Sequence, residues 1–368
     1  MSLLISIIAF ILILAILVVV HEFGHFIVAK KSGIRVDEFG FGFPPRAKKL
    51  FTKNGTDFTL NWIPFGGFVK IFGENGEEGA GQNDSFVSKK KRTQAAVLIA
   101  GPLFNFLFAW LILAVMFMVG SPTLYDESYG DKMKNVSVSV VEVFPDSPAD
   151  QAEIFVGDTI TSLTYPNGTE ISISEPADLS SAFEGKGVQE VVLEVERKNE
   201  VFEITLSPAY GLYEGQENPA LGIALDKVGT LRLPPHEAIW RGLQRTWNLS
   251  VSTADFLIDL VKGLITGDKS QTGSITGPIG IVPVVGNAIE VGFSFVVVIT
   301  ALISINLAII NLLPFPALDG GRLLFILIET IKGSPINPKT SSWINSAGFL
   351  ILIGLMILVT IRDIIQLF

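Results

Sequence analysis

Two histidines and a glutamate near the start of the chain have the types and the spacing that hydrolytic metal chemistry needs. His21 and His25 are four residues apart, so a helix would carry both imidazoles on one face, within reach of one metal ion. Glu22 would then be placed to take a proton from a water molecule on that metal. Residues 21–25, HEFGH, therefore predict a zinc-dependent hydrolase.

The residues just before this motif are apolar. Leu3–Val20 contains no charged residue and is long enough to cross a bilayer as a helix. It lacks a basic start and leads directly into HEFGH, so we do not expect a cleavable signal peptide. A soluble metallopeptidase would not normally place its motif at the end of such a segment. We therefore expect hydrolysis inside a membrane or at its edge.

The composition of the chain is that of a membrane protein. Of its 368 residues, 49% are hydrophobic and 17% are charged, and the mean hydropathy is +0.50. Soluble domains are usually about one quarter charged. The chain has no cysteine, which excludes disulfides, thiolate metal ligands and cysteine nucleophiles.

Four stretches of the sequence are apolar enough to cross a bilayer as helices. They are Leu3–Lys30, Thr93–Gly120, Phe293–Leu313 and Trp343–Phe368. The loop at 30–92 has 12 Lys and Arg against 7 Asp and Glu, whereas residues 121–232 have 7 against 20. Because positive charge is retained in the cytoplasm, the first loop is predicted to be cytoplasmic and the acidic region extracytoplasmic. Both termini would then also be outside.

Two further segments are predicted to lie at the membrane surface. Asp57–Gly73 is apolar and predicts a membrane-associated β-hairpin, with two strands around the sequence IPFGG at 63–67. Pro235–Thr266 has apolar residues at spacings of three and four and predicts a long amphipathic helix. That helix is too charged to span. It either lies in the outer interface or packs on the rest of the protein as an ordinary helix.

The acidic region predicts a small α/β domain. Its strands are expected at Val136–Val143, Asp158–Leu163, Val188–Glu196 and Val201–Leu206, and its short helices at Ser147–Ala152 and Glu175–Phe183. The sequence SPA at 147–149, followed by GD at 157–158, is similar to a PDZ domain. In that family this order of elements frames a peptide-binding groove.

A catalytic zinc site needs a third protein ligand, and Asp319 is the better of two candidates. His236 is expected on the outer side, whereas the motif histidines lie at the cytoplasmic end of the first span. Pro314 and Pro316 break the third span just before Asp319, and irregular backbone at membrane depth is tolerated where it is buried or lines a cavity. The alternative is an aspartate that caps a following helix at Arg322–Ile331.

Three asparagines lie in apolar spans. Asn311 either binds the substrate backbone or a developing oxyanion, or makes a hydrogen bond between helices. For Asn105 and Asn306 we favour the hydrogen bond between helices.

Taken in order, several motifs resemble the site-2 proteases, specifically the regulator-of-sigma-E protease type. The motifs are HEFGH at 21–25, GFGFPP at 40–45, IPFGGFVK at 63–70, AGPLFN at 100–105, GPIGI at 277–281 and NLLPFPALDGGR at 311–322. The resemblance implies an intramembrane zinc endopeptidase with His21, His25 and Asp319 as ligands and Glu22 as general base. It also implies that Asn311 binds substrate. Separately from the resemblance, the hairpin at Asp57–Gly73 would offer a strand edge to an unwound substrate, and its residues Phe65, Gly66 and Gly67 would help to hold that substrate extended.

The resemblance also implies partners and a location. The expected substrates are single-span membrane proteins, such as anti-sigma factors or signal-peptide remnants, already trimmed outside by an upstream site-1-type protease. The expected location is a bacterial-type inner membrane, with the bilayer itself as a partner and no nucleic acid. Some members of this type have two PDZ domains in tandem, whereas this chain has room for one.

The expected fold is therefore a polytopic α-helical membrane protein with four transmembrane helices, a membrane-associated β-hairpin and an inserted α/β PDZ-like domain. Its parts are residues 1–120 and 293–368 for the two halves of the protease core, 121–233 for the PDZ-like domain, and 234–292 for the amphipathic helix and a connector. Two other functions stay open: a membrane-bound binding protein with an idle metal site, and a metal or ion transporter. Zinc-dependent cleavage of a substrate would distinguish the intramembrane protease from both of these alternatives.

Overall fold

The computed structural model describes residues 3–74, 79, 81–185, 187–197, 200–212, 216, 218–266 and 277–367. Its helices are α1 (Leu3–Lys31), α2 (Lys91–Val119), α3 (Pro148–Gln151), α4 (Pro176–Ala182), α5 (Pro235–Thr266), α6 (Pro278–Val291), α7 (Phe293–Leu312), α8 (Asp319–Lys332) and α9 (Pro338–Leu367). Its strands are β1 (Val36–Lys53), β2 (Thr56–Ile71), β3 (Ser121–Leu124), β4 (Met133–Val143), β5 (Thr159–Thr164), β6 (Glu170–Ser172), β7 (Val191–Arg197), β8 (Glu200–Leu206) and β9 (Ile223–Leu231).

Four of these helices are long and apolar enough to cross a membrane, which confirms the four predicted spans. They are α1, α2, α7 and residues Pro338–Ile365 of α9, and their bounds differ from the predicted ones by a few residues. α5 has the predicted bounds, Pro235–Thr266. α6 was not predicted, because the sequence indicates only a connector after the amphipathic helix.

The chain divides into two compact units. The first comprises Met1–Leu113, Gly242–Gly286 and Val298–Phe368, and the second comprises Ala114–Arg241 and Asn287–Val297. The first unit contains most of the spanning helices and the sheet of β1 and β2. The second contains the larger sheet.

The turn of the hairpin in the first unit is not where we predicted it. β1 and β2 pair antiparallel and are joined at Asn54 and Gly55, both of which have positive φ. An Asn-Gly pair is the strongest short hairpin signal, because two left-handed residues match the twist of the flanking strands. The predicted turn at 63–67 instead lies inside β2, where Gly66 has a φ of 77°.

The two long strands also bend, so that different segments of each strand pair side by side in one sheet. Phe39 in β1 is opposite both Phe58 and Val69 of β2. The first half of β1 therefore lies between two segments of β2. Residues 67–71 are at one edge of this sheet, and residues 46–53 are at the other.

The second unit is built on a sheet with the strand order β3-β9-β4-β5-β7-β8, to which β6 is added beside β5. The four predicted strands and both short helices are present within a few residues of their predicted bounds. β3, β6 and β9 were not predicted. Asp226, Lys227 and Gly229 interrupt the apolar alternation of β9, although the strand pairs along its length with β4.

The GD pair at 157–158 has a structural explanation in this unit. Gly157 has a φ of 99°, which favours glycine. Asp158 is fully buried, and its carboxylate accepts hydrogen bonds from the backbone N–H of Phe155 at 2.9 Å and from Arg197 Nε at 2.7 Å. Arg197 also lies over the ring of Phe155. A buried carboxylate needs this kind of paired and hydrogen-bonded environment.

Within the first unit, α5 contacts α7. Thr253 Oγ1 donates a hydrogen bond to Asn306 Oδ1 at 3.1 Å, so Asn306 makes the expected bond between helices. The apolar stripe of α5 is exposed, with Trp247 at 61% and Ile265 at 80%. Exposed apolar surface of this extent marks a face that contacts lipid or a partner.

Candidate metal centre

α1 carries the two motif histidines on its buried face. His21 and His25 are only 8% and 7% exposed, and they follow Leu17, which is fully buried, on the same side of the helix. Because a helix turns once in about 3.6 residues, the spacing of four brings both rings to one point on the surface of α1. The ring centroids are 4.8 Å apart.

Asp319 lies against both histidines. Its Oδ2 is 3.1 Å from His21 Nε2 and 3.3 Å from His25 Nε2, and the two Nε2 atoms are 3.2 Å apart. Among the described residues, these three form the group of acidic and histidine side chains that is able to hold a metal ion. The sequence prediction named the same three residues, and the structure brings them together.

These distances fit a metal. Ligand atoms about 2.0–2.1 Å from a tetrahedral zinc ion are about 3.3–3.4 Å from one another. His25 Nδ1 is 2.8 Å from the carbonyl oxygen of Val97, which only accepts hydrogen bonds, so Nδ1 carries the proton. The neutral ring then directs the lone pair of Nε2 toward His21 and Asp319. Converging lone pairs are stabilised by a cation.

α2 packs directly on the histidines, and small residues make this possible. A Cβ at Gly24 of α1 would overlap the backbone carbonyl of Ala100. A Cβ at Gly101 would overlap Nε2 of both His21 and His25, and so would enter the space between the ligand atoms. The glycine therefore leaves open the place that a metal would take.

Asp319 is positioned by a tight loop between α7 and α8. α7 ends at Leu312, before the two prolines, as the sequence predicted, and α8 begins at Asp319 itself. A Cβ at Gly320 or Gly321 would overlap backbone carbonyls of this loop. Ala317 has a φ of 77°, and its N–H donates to Asn345 Oδ1 of α9 at 3.3 Å.

A second contact fixes the first turn of α8. Arg322 forms an ion pair with Glu74, and its Nη2 also donates to the backbone oxygen of Glu74 at 3.0 Å. Both residues line a cavity of 1210 Å³, together with Asn337, Ser341 and Asn345 at the start of α9. The sequence did not predict this ion pair, because nothing in the chain relates two residues so far apart.

Glu22 is half-buried and lies on the side of α1 that contacts β2. Its carboxylate accepts a hydrogen bond from the backbone N–H of Val69, and it interacts electrostatically with His25 and Asp319. A Cβ at Gly67 would come within 3.8 Å of the Glu22 side chain. The sheet edge at 67–71 therefore lies beside the glutamate.

The structure places only some of the predicted substrate-binding residues near Glu22. Gly66 and Gly67 are in the strand segment near Glu22, whereas the side chain of Phe65 lies outside the described part of the structure. Asn311 Nδ2 donates to the carbonyl oxygen of Leu307, one turn earlier in its own helix, at 2.9 Å. That bond is neither of the two contacts we considered for Asn311.

The side chain of Asn105 lies beside a candidate ligand, which the sequence did not predict. It is fully buried in α2, and its Nδ2 is 3.4 Å from His21 Nδ1. We expected an ordinary bond between helices. The backbone oxygen of Asn105 does accept such a bond, from Ser304 Oγ at 2.9 Å, but its side chain faces the candidate ligand. His236 is exposed at the start of α5.

A scan against family models matches residues 9–355 to peptidase family M50. The chain belongs to this family. It is 30% identical to the protease RseP of Yersinia pestis and 29% identical to the zinc metalloprotease RasP of Oceanobacillus iheyensis, with 99% of both chains covered in each case. It is also 27% identical to the regulator of sigma E protease of Salmonella typhi, again over 99% of each chain.

The alignments with RseP and RasP extend over 451 and 453 positions. Since this chain has 368 residues, both relatives contain stretches that it lacks. The family match and these relatives support the predicted site-2 type metalloprotease, in agreement with the motifs from HEFGH to LDGGR.

The role of Gly101 leads to a first prediction. In Gly101→Ala, the added methyl group should enter the space between the ligand atoms and reduce zinc affinity on the order of tenfold or more. Zinc would be quantified after purification in detergent and equilibration with a chelator. Gly354→Ala in α9 is the matched control, because a Cβ there meets nothing within 4 Å. Equal zinc content in the two variants would contradict the prediction.

Proposed function

We propose that this member of peptidase family M50 is a zinc-dependent endopeptidase that cuts single-span membrane proteins during regulated intramembrane proteolysis. One observation carries the proposal. Three ligand atoms lie 3.1–3.3 Å from one another at the end of an apolar helix, and a carboxylate one residue from the first ligand lies beside a sheet edge. The relatives named as zinc metalloproteases and as RseP support it.

In this proposal, His21, His25 and Asp319 hold the zinc ion and leave one coordination position open. When bound, zinc would lower the pKa of a coordinated water molecule and polarise the scissile carbonyl. His25 is held by its Nδ1–H bond to Val97, and Asp319 by the loop that Asn345 and Arg322 fix.

Glu22 acts as the general base. Its carboxylate accepts a hydrogen bond from the N–H of Val69 and interacts electrostatically with His25 and Asp319. In this position Glu22 takes a proton from the attacking water and later gives it to the leaving amine.

The substrate is proposed to bind as an extended strand at the sheet edge of residues 67–71. A transmembrane helix hides its carbonyl groups in internal hydrogen bonds, so it must be unwound before a peptide bond is attacked. Apart from the N–H of Val69, which donates to Glu22, the strand edge offers replacement hydrogen bonds by β-augmentation. Phe65, Gly66 and Gly67 would lie next to the bound strand, and Asn311 would contact the substrate after releasing Leu307.

Residues 121–233 are proposed to form an extracytoplasmic PDZ-like domain that restricts access to substrates already trimmed by an upstream protease. Its acidic composition and the order SPA–GD–strand support this assignment. Since the chain is shorter than RseP and RasP, any size selection would depend on one such domain together with α5. The proposed location is the inner membrane of a bacterium, with the sheet of β1 and β2 on the cytoplasmic side.

The central prediction concerns Glu22. Purified Glu22→Gln should retain zinc and lose cleavage of a single-span model substrate by about 10²–10⁴-fold, because the general base is removed while the ligands remain. Zinc content and product formation would be measured on the same samples. Glu170→Gln, an exposed change in β6, is the control. Cleavage by Glu22→Gln at the wild-type rate would overturn the proposal, as would a native protein that binds zinc but cuts none of several trimmed substrates.

The sheet-edge prediction uses the absence of native cysteine. In a Glu22→Gln background, Lys70→Cys at the edge should form disulfides with cysteines near the cut site of a substrate. Lys53→Cys, at the opposite edge of the sheet, should not. The disulfides would be detected as a mobility shift that a reductant reverses. Equal yields at both positions would contradict β-augmentation at residues 67–71.

A further inference from the structure

α2 contacts each candidate ligand histidine at the nitrogen that does not face the metal position. For His25, the contact is the carbonyl oxygen of Val97, at 2.8 Å from Nδ1. For His21, it is the side-chain amide of Asn105, at 3.4 Å from Nδ1. Val97 and Asn105 are about two helical turns apart, so a single face of α2 serves both rings.

The amide of Asn105 has an unsatisfied atom. Its Oδ1 is buried and has no hydrogen-bond partner within the described part of the chain, and the residue is 0% exposed. A buried polar atom without a partner costs free energy, so most such atoms have a partner in the working protein. The amide nitrogen meanwhile faces a ring nitrogen of His21.

The chemistry of the ligand supplies the missing partner. A neutral histidine that binds a metal through Nε2 carries its proton on Nδ1, which must then donate a hydrogen bond. An asparagine amide is able to present its oxygen or its nitrogen to the same neighbour by rotation of its last bond. With the oxygen turned toward His21, Oδ1 would accept the Nδ1–H bond.

The position of Asn105 along α2 is itself fixed. Its backbone oxygen accepts a hydrogen bond from Ser304 Oγ of α7, and Ser304 is fully buried. Ala109 and Leu113, on the next turns of α2, pack against Ala301 and Ile305 of α7 in a common core. The amide is therefore attached to a rigid contact between two helices and not to a mobile loop.

We propose that Asn105 is a positioning residue that accepts the Nδ1–H bond of His21 and thereby fixes the tautomer and orientation of that ligand. This inference rests on the proposed function, since it assigns His21 to zinc. It extends that function by giving both histidines the same arrangement, with α2 as the common outer support.

The test measures zinc affinity in full-length protein in detergent, by competition with a chelator of known affinity. Asn105→Leu keeps the approximate volume but has no acceptor, and it should weaken zinc binding about 10–100-fold. Asn105→Asp keeps an acceptor at the same place and should bind zinc at least as tightly as the wild type. Asn306→Leu removes a different intramembrane hydrogen bond, to Thr253, and should leave the affinity unchanged.

Two readouts separate positioning from a merely structural role. With Co²⁺ in place of zinc, the ligand-field spectrum of Asn105→Leu should shift, whereas that of Asn306→Leu should match the wild type. Should Asn105→Leu fail to fold, the Asp variant decides by itself, because release of zinc faster than in the wild type would overturn the inference.

The remaining outcomes are also decisive. A wild-type protein with no affinity for zinc would overturn both the proposed function and this inference. Tight zinc binding by the wild type with the same affinity in Asn105→Leu would overturn the inference alone. Equal losses in Asn105→Leu and Asn306→Leu would mean that general helix packing controls affinity, and would overturn it as well.

Discussion

Three ligand atoms, two from α1 and one from the start of α8, meet within 3.3 Å of one another. Lone pairs at this separation in a buried site repel each other unless a cation lies between them, or protons are shared among them. Much of the structure of the first unit is explained by the need to hold these three ligand atoms close together. α1 supplies two ligands, α2 closes over them, and the loop before α8 carries the third to the same place.

Small residues make the convergence geometrically possible. Gly24 and Gly101 let α1 and α2 approach until backbone meets backbone, as in membrane proteins generally, where close packing replaces the hydrophobic effect between helices. Gly320 and Gly321 do the same for the Asp319 loop. Polar contacts then fix these elements in place, through Val97, Asn345 and the Arg322–Glu74 ion pair. The site is thus held mostly by backbone and by side chains outside the ligand set.

The sequence predicted the features that short-range patterns determine. Apolar length gave the four spans, the spacing of four gave the histidine pair, and the broken third span with Asp319 gave the third ligand. The predicted hairpin turn at 63–67 was wrong, because the Asn-Gly pair at 54–55 forms the turn and lies before the predicted segment.

Other features depend on residues that are distant in sequence. β9 was not predicted because Asp226 and Lys227 interrupt the apolar alternation that is typical of a strand. The strand is stabilised by its pairing with β4. Asn105 was assigned to ordinary helix packing, since its neighbour His21 is brought to it only by the fold. Glu74 and Arg322 likewise meet although they are 248 residues apart in the sequence. A single sequence has no periodicity that would report such contacts.

X-ray absorption at the zinc edge of the purified protein tests the central claim most directly. The account predicts a first shell of nitrogen and oxygen at about 2.0–2.2 Å, with outer-shell scattering from two imidazoles. In Asp319→Ala the two imidazoles should remain while one oxygen neighbour is lost or replaced. One imidazole, or three with His236 included, would contradict a centre built from His21, His25 and Asp319.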